Sequence, residues 1–499
     1  MTRLPAFTVL TAILAVALFA LPAATLAQDE LTQTYTTADG ALTFQHPANW
    51  AVIEQFGTIT LANSQEALDA LNRAAPLAAG QVTVAIVPPA GLVEQLAMLG
   101  LSADSGPHAL IEDYVSLLGA ATFSPPQDIT VGGRQAVKSS GVSLGMSQAL
   151  YAIDTDGGGM ALIAAAAPDN ATLQATEPTL LAIIGSFDAR PIAEPTETGS
   201  VVWQQMVALP GEQVVEGGVN GFLDVVAGPD DTIYVVDAVQ GIHVYSPDGA
   251  YAGLLGDANA PYYFADVAVA PDGSLWGVDF GGTVTHVSTE DGSTIASFSV
   301  TDQAGIAIGF NVQIGAGPDG NIYLLTPIAG ATENEQVGQV VVLDASGQVL
   351  RQFEIGRAEF YYDATMTFGP DGNLYAVEIG GNQGVRVFDS QGNLLREGIG
   401  AAILFVSPGA LAVGPDGSIY AGAAATGALY HFAPDGTLLG RFGQSQFELF
   451  APETQTQDYP PFEPGVFFEI AGLAVLSDGD VVVADSNPTY AQLVRVSFD

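Results

Sequence analysis

Hydrophobic and polar positions alternate in a repeated unit over the C-terminal three-fifths of the chain. Six segments share it: "VVAGPDDTIYVVD", "AVAPDGSLWGVD", "GAGPDGNIYLLT", "TFGPDGNLYAVE", "AVGPDGSIYAGA" and "AVLSDGDVVVAD". A strand of small residues leads into a Pro-Asp-Gly-type turn, where Pro fixes φ and Gly takes positive φ. Three positions after the turn Asp stands an aliphatic residue: Ile233, Leu275, Ile322, Leu374, Ile419 or Val481. An aromatic follows it: Tyr234, Trp276, Tyr323, Tyr375 or Tyr420, with Val482 the exception. Successive strand residues face opposite ways, so each unit presents one apolar side chain to each neighbouring unit. Third and fourth strands follow, as in "GIHVYSPDG" and "AGLLG".

The turn aspartates are Asp230, Asp272, Asp319, Asp371, Asp416 and Asp478, at intervals of 42, 47, 52, 45 and 62 residues. Short strands recurring at this period predict a β-propeller. The last unit stops at "LVRVSFD", one strand short. The segment Ser200 to Leu209 should supply that strand and close the ring, giving six blades and removing an open sheet edge.

Residues 28–188 lack the repeat. Alternating runs such as "ALTFQHPANW" and "QVTVAIVPP" predict strands, and "NATLQATEPTLLAIIGSF" predicts a capped helix. The expected class is α+β with an antiparallel sheet. Residues 189–199, rich in Pro, Thr and Glu, read as a linker. Residues 1–27 combine Arg3, the apolar run "FTVLTAILAVALFAL" and Thr25-Leu26-Ala27, which together predict a signal peptide cleaved after Ala27. An uncleaved anchor is the alternative. No later stretch is apolar enough to span a membrane as a helix.

Composition narrows the partners. The formal net charge is −43, from 54 acidic and 11 basic residues, with Lys138 the single lysine. Such a surface repels nucleic acid and anionic lipid. There are no cysteines, so neither disulfides nor thiolate chemistry enters.

Two groups map to the face carrying the blade-to-blade loops. The first is acidic. Asp224 and Asp266 begin innermost strands, where the other units have Gln313, Thr365, Ala410 and Gly472. Asp237, Asp279, Glu378 and Asp485 end second strands, where Thr326 and Ala423 are the equivalents. Hard oxygen ligands near an axis would take Ca2+ or Mg2+; the competing reading has each Asp bonding its own turn. The second group is aromatic: Phe222, Tyr262, Tyr263, Phe264, Phe310, Phe360, Tyr361, Tyr362, Phe405, Phe467 and Phe468, with Phe447, Phe450, Tyr459 and Phe462 in the longest loop. These rings offer a platform for a protein, peptide or glycan ligand, or else they pack between blades. His243, His286 and Arg386 read as one exposed third-strand position, with His431 offset by one. No Ser/His/Asp arrangement or G-x-S-x-G elbow is present.

The unit "GPDDTIYVVD…GIHVYSPDGAYAGLLG" resembles the NHL-repeat propellers over about 300 residues. That resemblance implies a six-bladed scaffold, in a group that includes protein- and RNA-binding platforms, sugar-lactone hydrolases and a streptogramin-type lyase. The RNA-binding version uses a basic face, which this chain lacks. "YTTADGALTFQHPANW", "VTVAIVPP" and "LLAIIGSF" resemble the PsbP/Mog1-like family, which implies a small binding or accessory domain. The expectation is a secreted, non-catalytic binding protein; the alternative is a Ca2+- or Mg2+-dependent lactonase or lyase.

Overall fold

The computed structural model describes residues 30–498 apart from 38–39, 56–57, 74, 90–91, 93–95, 97–105, 119–121, 156–158, 190–197, 209–220, 238–239, 258, 307, 309–310, 331–334, 360–363, 379–383, 402–403, 405–407, 424–426, 446–461 and 488–489. Residues 1–27, the expected signal peptide, lie outside the described residues. The chain is mainly β and divides into two units, Met1–Ala193 and Glu194–Asp499.

In the first unit an antiparallel sheet runs in the order Ala51–Gln55, Thr58–Ala62, Thr83–Val87, Gly159–Ala167, Met146–Thr155, Arg134–Ser143 and Thr122–Phe123. Gln127–Val131 also pairs with Arg134–Ser143, and a separate three-stranded sheet joins Leu31–Thr36, Leu42–Pro47 and Asp188–Ala189. The period of two is visible in the central strand Met146–Thr155. Ala149, Tyr151 and Ile153 enter a core with Leu173, Leu180, Ile183 and Ile184 of helix Asn170–Gly185. Leu150 and Ala152 enter the opposite core with Leu110, Ile111 and Tyr114 of helix Gly106–Leu117. A sheet covered on both faces needs apolar residues at both parities, which explains the near-continuous hydrophobic run of this strand. Asp169 caps the longer helix, its carboxylate accepting from Thr172 N at 2.7 Å.

The second unit is a β-propeller, and among the described residues it contains six four-stranded antiparallel sheets. Sheet I comprises Phe222–Ala227, Ile233–Asp237, Gly241–Tyr245 and Tyr251–Leu254. Sheets II to V start from the inner strands Phe264–Val269, Gln313–Ala316, Ala364–Phe368 and Pro408–Val413. Sheet VI contains Ile470–Val475, Val481–Ser486 and Tyr490–Ser497, and its outer strand is Ser200–Ala208 from the other end of the unit. The inner strands contact one another in a closed cycle, sheet VI meeting sheet I.

The aliphatic–aromatic pair of each second strand builds the cores between sheets. Tyr234 packs with Leu275, Trp276 with Ile322, Tyr323 with Leu374, Tyr375 with Ile419, and Tyr420 with Val481. Val482 packs with Ile233 and completes the circle. Burying a large side chain contributes about 1.5–3 kcal/mol, so each junction is a small hydrophobic core of its own.

The turns follow one pattern. Each turn Asp accepts from the backbone N–H two residues on, as Asp319 does from Asn321 N at 3.1 Å and Asp416 from Ser418 N at 2.9 Å. The next residue is left-handed: Gly in five units and Asp231, at φ 62°, in the first. Asp231 is held there from sheet VI. Its carboxylate accepts from Ser477 N at 2.8 Å and Ser477 Oγ at 2.6 Å.

Candidate functional site

Register fixes the axial positions. Asp224 pairs with Val236, Asp266 with Val278, Gln313 with Leu325, Thr365 with Val377, Ala410 with Gly422, and Gly472 with Ala484. These six residues are equivalent. Asp224 and Asp266 are the third residues of their strands, behind a β-bulge that shifts the register at Phe222/Asp224 and Phe264/Asp266.

The structure brings Asp224 and Asp266 together. The side-chain carboxyl of Asp224 hydrogen-bonds that of Asp266. Asp266 Oδ2 also accepts from Ile314 N of sheet III at 2.6 Å. Asp224 stands in the same relation to Val267 N of sheet II. Each carboxyl group thus ties its own inner strand to the next one round the ring. Thr365 Oγ1 continues the arc with a 3.3 Å bond to Gln313 Oε1. Gly472 is where the arc meets sheet VI: a Cβ there would lie 2.6 Å from Val225 N and 2.8 Å from Asp224 Oδ1. Asp266 is buried, whereas Asp224 keeps some accessible surface. Both carboxyl groups are nonetheless deep among protein atoms. Burial pushes Asp224 well above the usual carboxylate range, and the neighbouring Asp266 adds to this. Burial raises Asp266 too, against the hydrogen bonds it accepts. Both carboxyl groups of the pair are thus shifted toward the protonated form.

Asp237 and Asp279 do not join that pair. Asp237 Oδ1 accepts from Gln240 N at 2.7 Å. Asp279 Oδ1 accepts from Gly281 N at 2.9 Å and Thr283 N at 2.8 Å. Each organises its own hairpin. Glu378 forms a buried ion pair with Arg386. Asp485 accepts from Phe468 N at 3.0 Å, Glu469 N at 2.6 Å and Gln492 Nε2 at 2.8 Å. It is fully buried, and burial raises its pKa to about 6. Among the described residues, no three His, Asp or Glu side chains gather in a metal-ligating group.

The aromatic residues separate by burial. Phe222 lies in the core between sheets VI and I, Phe264 in that between I and II, and Phe467 in that between V and VI. Phe462 and Phe468 are buried as well. Their rings are spent on packing. Tyr262 stacks on Phe264 at 5.2 Å and donates to Gly292 O at 3.0 Å. Tyr263 is 55% exposed. Phe280, which the sequence reading passed over, is 45% exposed. Phe264 and Asp279 are register partners, so Tyr263 and Phe280 lie one residue beyond that pair, at the same end of sheet II. A large aromatic just after a turn-capping Asp was the available signal. Phe310, Phe360, Tyr361, Tyr362, Phe405, Phe447, Phe450 and Tyr459 lie outside the described residues.

The histidines fall into two register classes that differ from the expected ones. His243 pairs with Val235 and Arg386 with Ala376. His286 pairs with Trp276 and His431 with Tyr420. His243 therefore groups with Arg386, and His286 with His431. The hairpins before the third strand differ in length, so counting from them misaligns the positions. Nor is the His243/Arg386 position exposed: their side chains are 12% and 8% accessible. His286 stacks on Trp276 at 4.0 Å, with Nε2 2.5 Å from Ser274 Oγ. Ser274 also bonds Asp272. In sheet V Ser418 bonds Asp416 and His431 stacks on Tyr420 at 4.6 Å. His431 Nε2 is buried without a hydrogen-bond partner among the described residues, so the residues and the stack recur and the Ser–His bond does not. Recurrence in two sheets marks this as turn architecture. Burial holds all three propeller histidines below the usual pKa.

No family model and no curated protein matches the chain. Solved structures similar to it include the WD40 β-propeller domain of Doa1, 12% identical with a TM-score of 0.35, over 60% of this chain and 98% of that one. A virginiamycin B lyase from Staphylococcus aureus is also 12% identical, with a TM-score of 0.34, over 75% of this chain and 99% of that one. Similarity of this degree carries nothing about ligand or activity. Among the described residues, no helix is long and apolar enough to cross a membrane.

Proposed function

We propose that this chain is a secreted, non-catalytic binding protein. In this reading a six-bladed, NHL-like propeller presents its loop face to a protein, peptide or glycan. A PsbP/Mog1-like domain precedes it in the chain, and the signal peptide is removed after Ala27. The observation that carries the reading is the exposure of Tyr263 and Phe280 at one end of sheet II, beside acids already engaged by their own turns. Exposed rings next to polar backbone suit sugar faces and extended peptides. A lactonase or lyase would need the axial acids as free metal ligands. The bond from Asp224 to Asp266 and the turn bonds of Asp237 and Asp279 count against that.

The test is binding of the secreted protein to glycan and peptide arrays. Saturable binding to a defined class supports the proposal. Uniform background across both arrays overturns it.

A further inference from the structure

The outer strand of every sheet carries a β-bulge at the same place. In sheet II, Thr294 pairs with Val287 and Ala296 with His286, which leaves Ile295 as the extra residue. The same skip leaves Leu350 in sheet III, Leu395 in sheet IV and Leu439 in sheet V. In sheet I the bulged residue is Ala252, and in sheet VI it is Val202. All six are apolar and all six are exposed: Ile295 55%, Leu350 49%, Leu395 55%, Leu439 48% and Val202 51%, with Ala252 also exposed. Tyr251 and Leu394 add further exposed apolar surface in sheets I and IV. Single exposed hydrophobic residues are ordinary. The same residue class at one register position in six sheets is not accounted for by chance exposure or by packing within the sheet.

In five sheets an acid stands in the turn that leads into the bulge: Asp248, Asp291, Asp344, Asp389 and Asp435. The hydrogen bonds these carboxylates accept within their turns hold their pKa values down, so they stay ionised. Glu290 and Glu397 lie exposed close by. The cations of residues 200–499 are Arg351, Arg357, Arg386, Arg396, Arg441 and Arg495. Arg351, Arg357, Arg386 and Arg495 are in ion pairs with acids of the propeller. Arg396 donates to Pro434 O at 2.6 Å and lies near enough to Asp435 to help hold its pKa down. In sheets I to IV the repeating surface element is an apolar side chain beside a fixed negative charge.

We propose that the rim of the propeller is a multivalent docking surface for cationic amphipathic peptide segments, each blade edge that carries a turn acid taking apolar side chains at the bulge and Lys or Arg at that acid. The bulge interrupts the ladder, so docking proceeds through side chains and not by adding a strand. Charge selects this occupant. A second copy of a chain with net charge −43 is repelled, as is an anionic lipid surface. A weak subsite repeated round a ring gains strength through avidity when the partner is long or clustered.

Titration calorimetry of the whole secreted protein would use a short Leu/Lys peptide with leucines at helical spacing, and a Leu-free Lys peptide of equal charge. The expected result is more than one Leu/Lys site per chain, binding that weakens with salt, and weaker binding of the Lys peptide. The combined substitution Ile295→Ser, Leu350→Ser, Leu395→Ser and Leu439→Ser should weaken Leu/Lys binding about tenfold, with the melting temperature held. Leu394→Ser with Leu395→Ser alone should lower the stoichiometry and leave the remaining affinity intact. Equal binding of both peptides, or unchanged Leu/Lys binding to the folded fourfold variant, overturns the proposal.

Discussion

The carboxyl groups of Asp224 and Asp266 face each other from neighbouring sheets of the propeller. Burial holds both above the usual carboxylate range, and the nearness of Asp266 raises Asp224 further. Asp266 Oδ2 also accepts from Ile314 N at 2.6 Å.

The bond from Ile314 N to Asp266 predicts an asymmetry. Asp224→Asn keeps a donor facing Asp266 and should leave propeller stability within about 1 kcal/mol of the parent at neutral pH. Asp266→Ala strands both Asp224 and Ile314 N and should cost about 2–3 kcal/mol. Denaturant midpoints of the two variants measure this. Equal losses would show that the bond from Ile314 N sets Asp266 apart from Asp224 in no measurable way.

Acidification should favour the folded propeller through its buried acids. Asp485 has a folded pKa raised from 3.8 to about 6, and burial raises Asp224 and Asp266 as well. The folded state thus binds more protons than the unfolded one. The stability linked to these groups is fully present below the unfolded pKa and is lost as pH rises through the folded one. For Asp485 the window is from 3.8 up to about 6, a difference of about 3 kcal/mol. Two sets of groups act in the opposite sense: the turn acids with lowered pKa, such as Asp416, only below their unfolded values, and His243, His286 and His431 as pH falls through their unfolded value of 6.5. The Asp485 contribution is therefore read by difference: from neutral pH to about pH 5 the melting temperature of the parent should gain on that of Asp485→Asn. A difference that stays constant over this interval contradicts the assignment.

The seam between the first and last sheets has its own dependence on one residue. Asp231 sits in the left-handed region where the other five turns have Gly, a conformation that costs a non-Gly residue roughly 1–2 kcal/mol. Its two bonds to Ser477 offset that. Asp231→Ala keeps the backbone cost and loses the bonds, and should destabilise by about 1–2 kcal/mol. Asp231→Gly loses the same bonds but relieves the backbone, and should fall between Ala and the parent in thermal unfolding. Ala as stable as Gly would sink this reading.

Much of the fold was legible because its determinants are local. Pro-Asp-Gly turns and the aliphatic–aromatic pair after them lie within a few residues, and the six cores between sheets follow from that pair alone. The axial equivalence of Asp224, Asp266, Gln313, Thr365, Ala410 and Gly472 was legible for the same reason, through a constant spacing to each turn. The fate of the aromatic residues was not. Phe222 and Phe264 precede bulges, and a bulge changes which way a side chain faces without any fixed residue type to announce it. The rim was hidden likewise, since Leu350 and Leu395 look like ordinary strand residues until the register skips them. His243 and His286 were misaligned because hairpin lengths vary between sheets.

If the loop face binds its ligand through exposed aromatic side chains, removing Tyr263 and Phe280 must weaken that binding. Array binding of the parent is compared with that of Tyr263→Ala/Phe280→Ala. Both side chains are exposed, so the double variant should fold as the parent does. Saturable binding by the parent should fall at least about tenfold in the variant. Parent binding that the variant retains in full would show that these rings are not the binding surface.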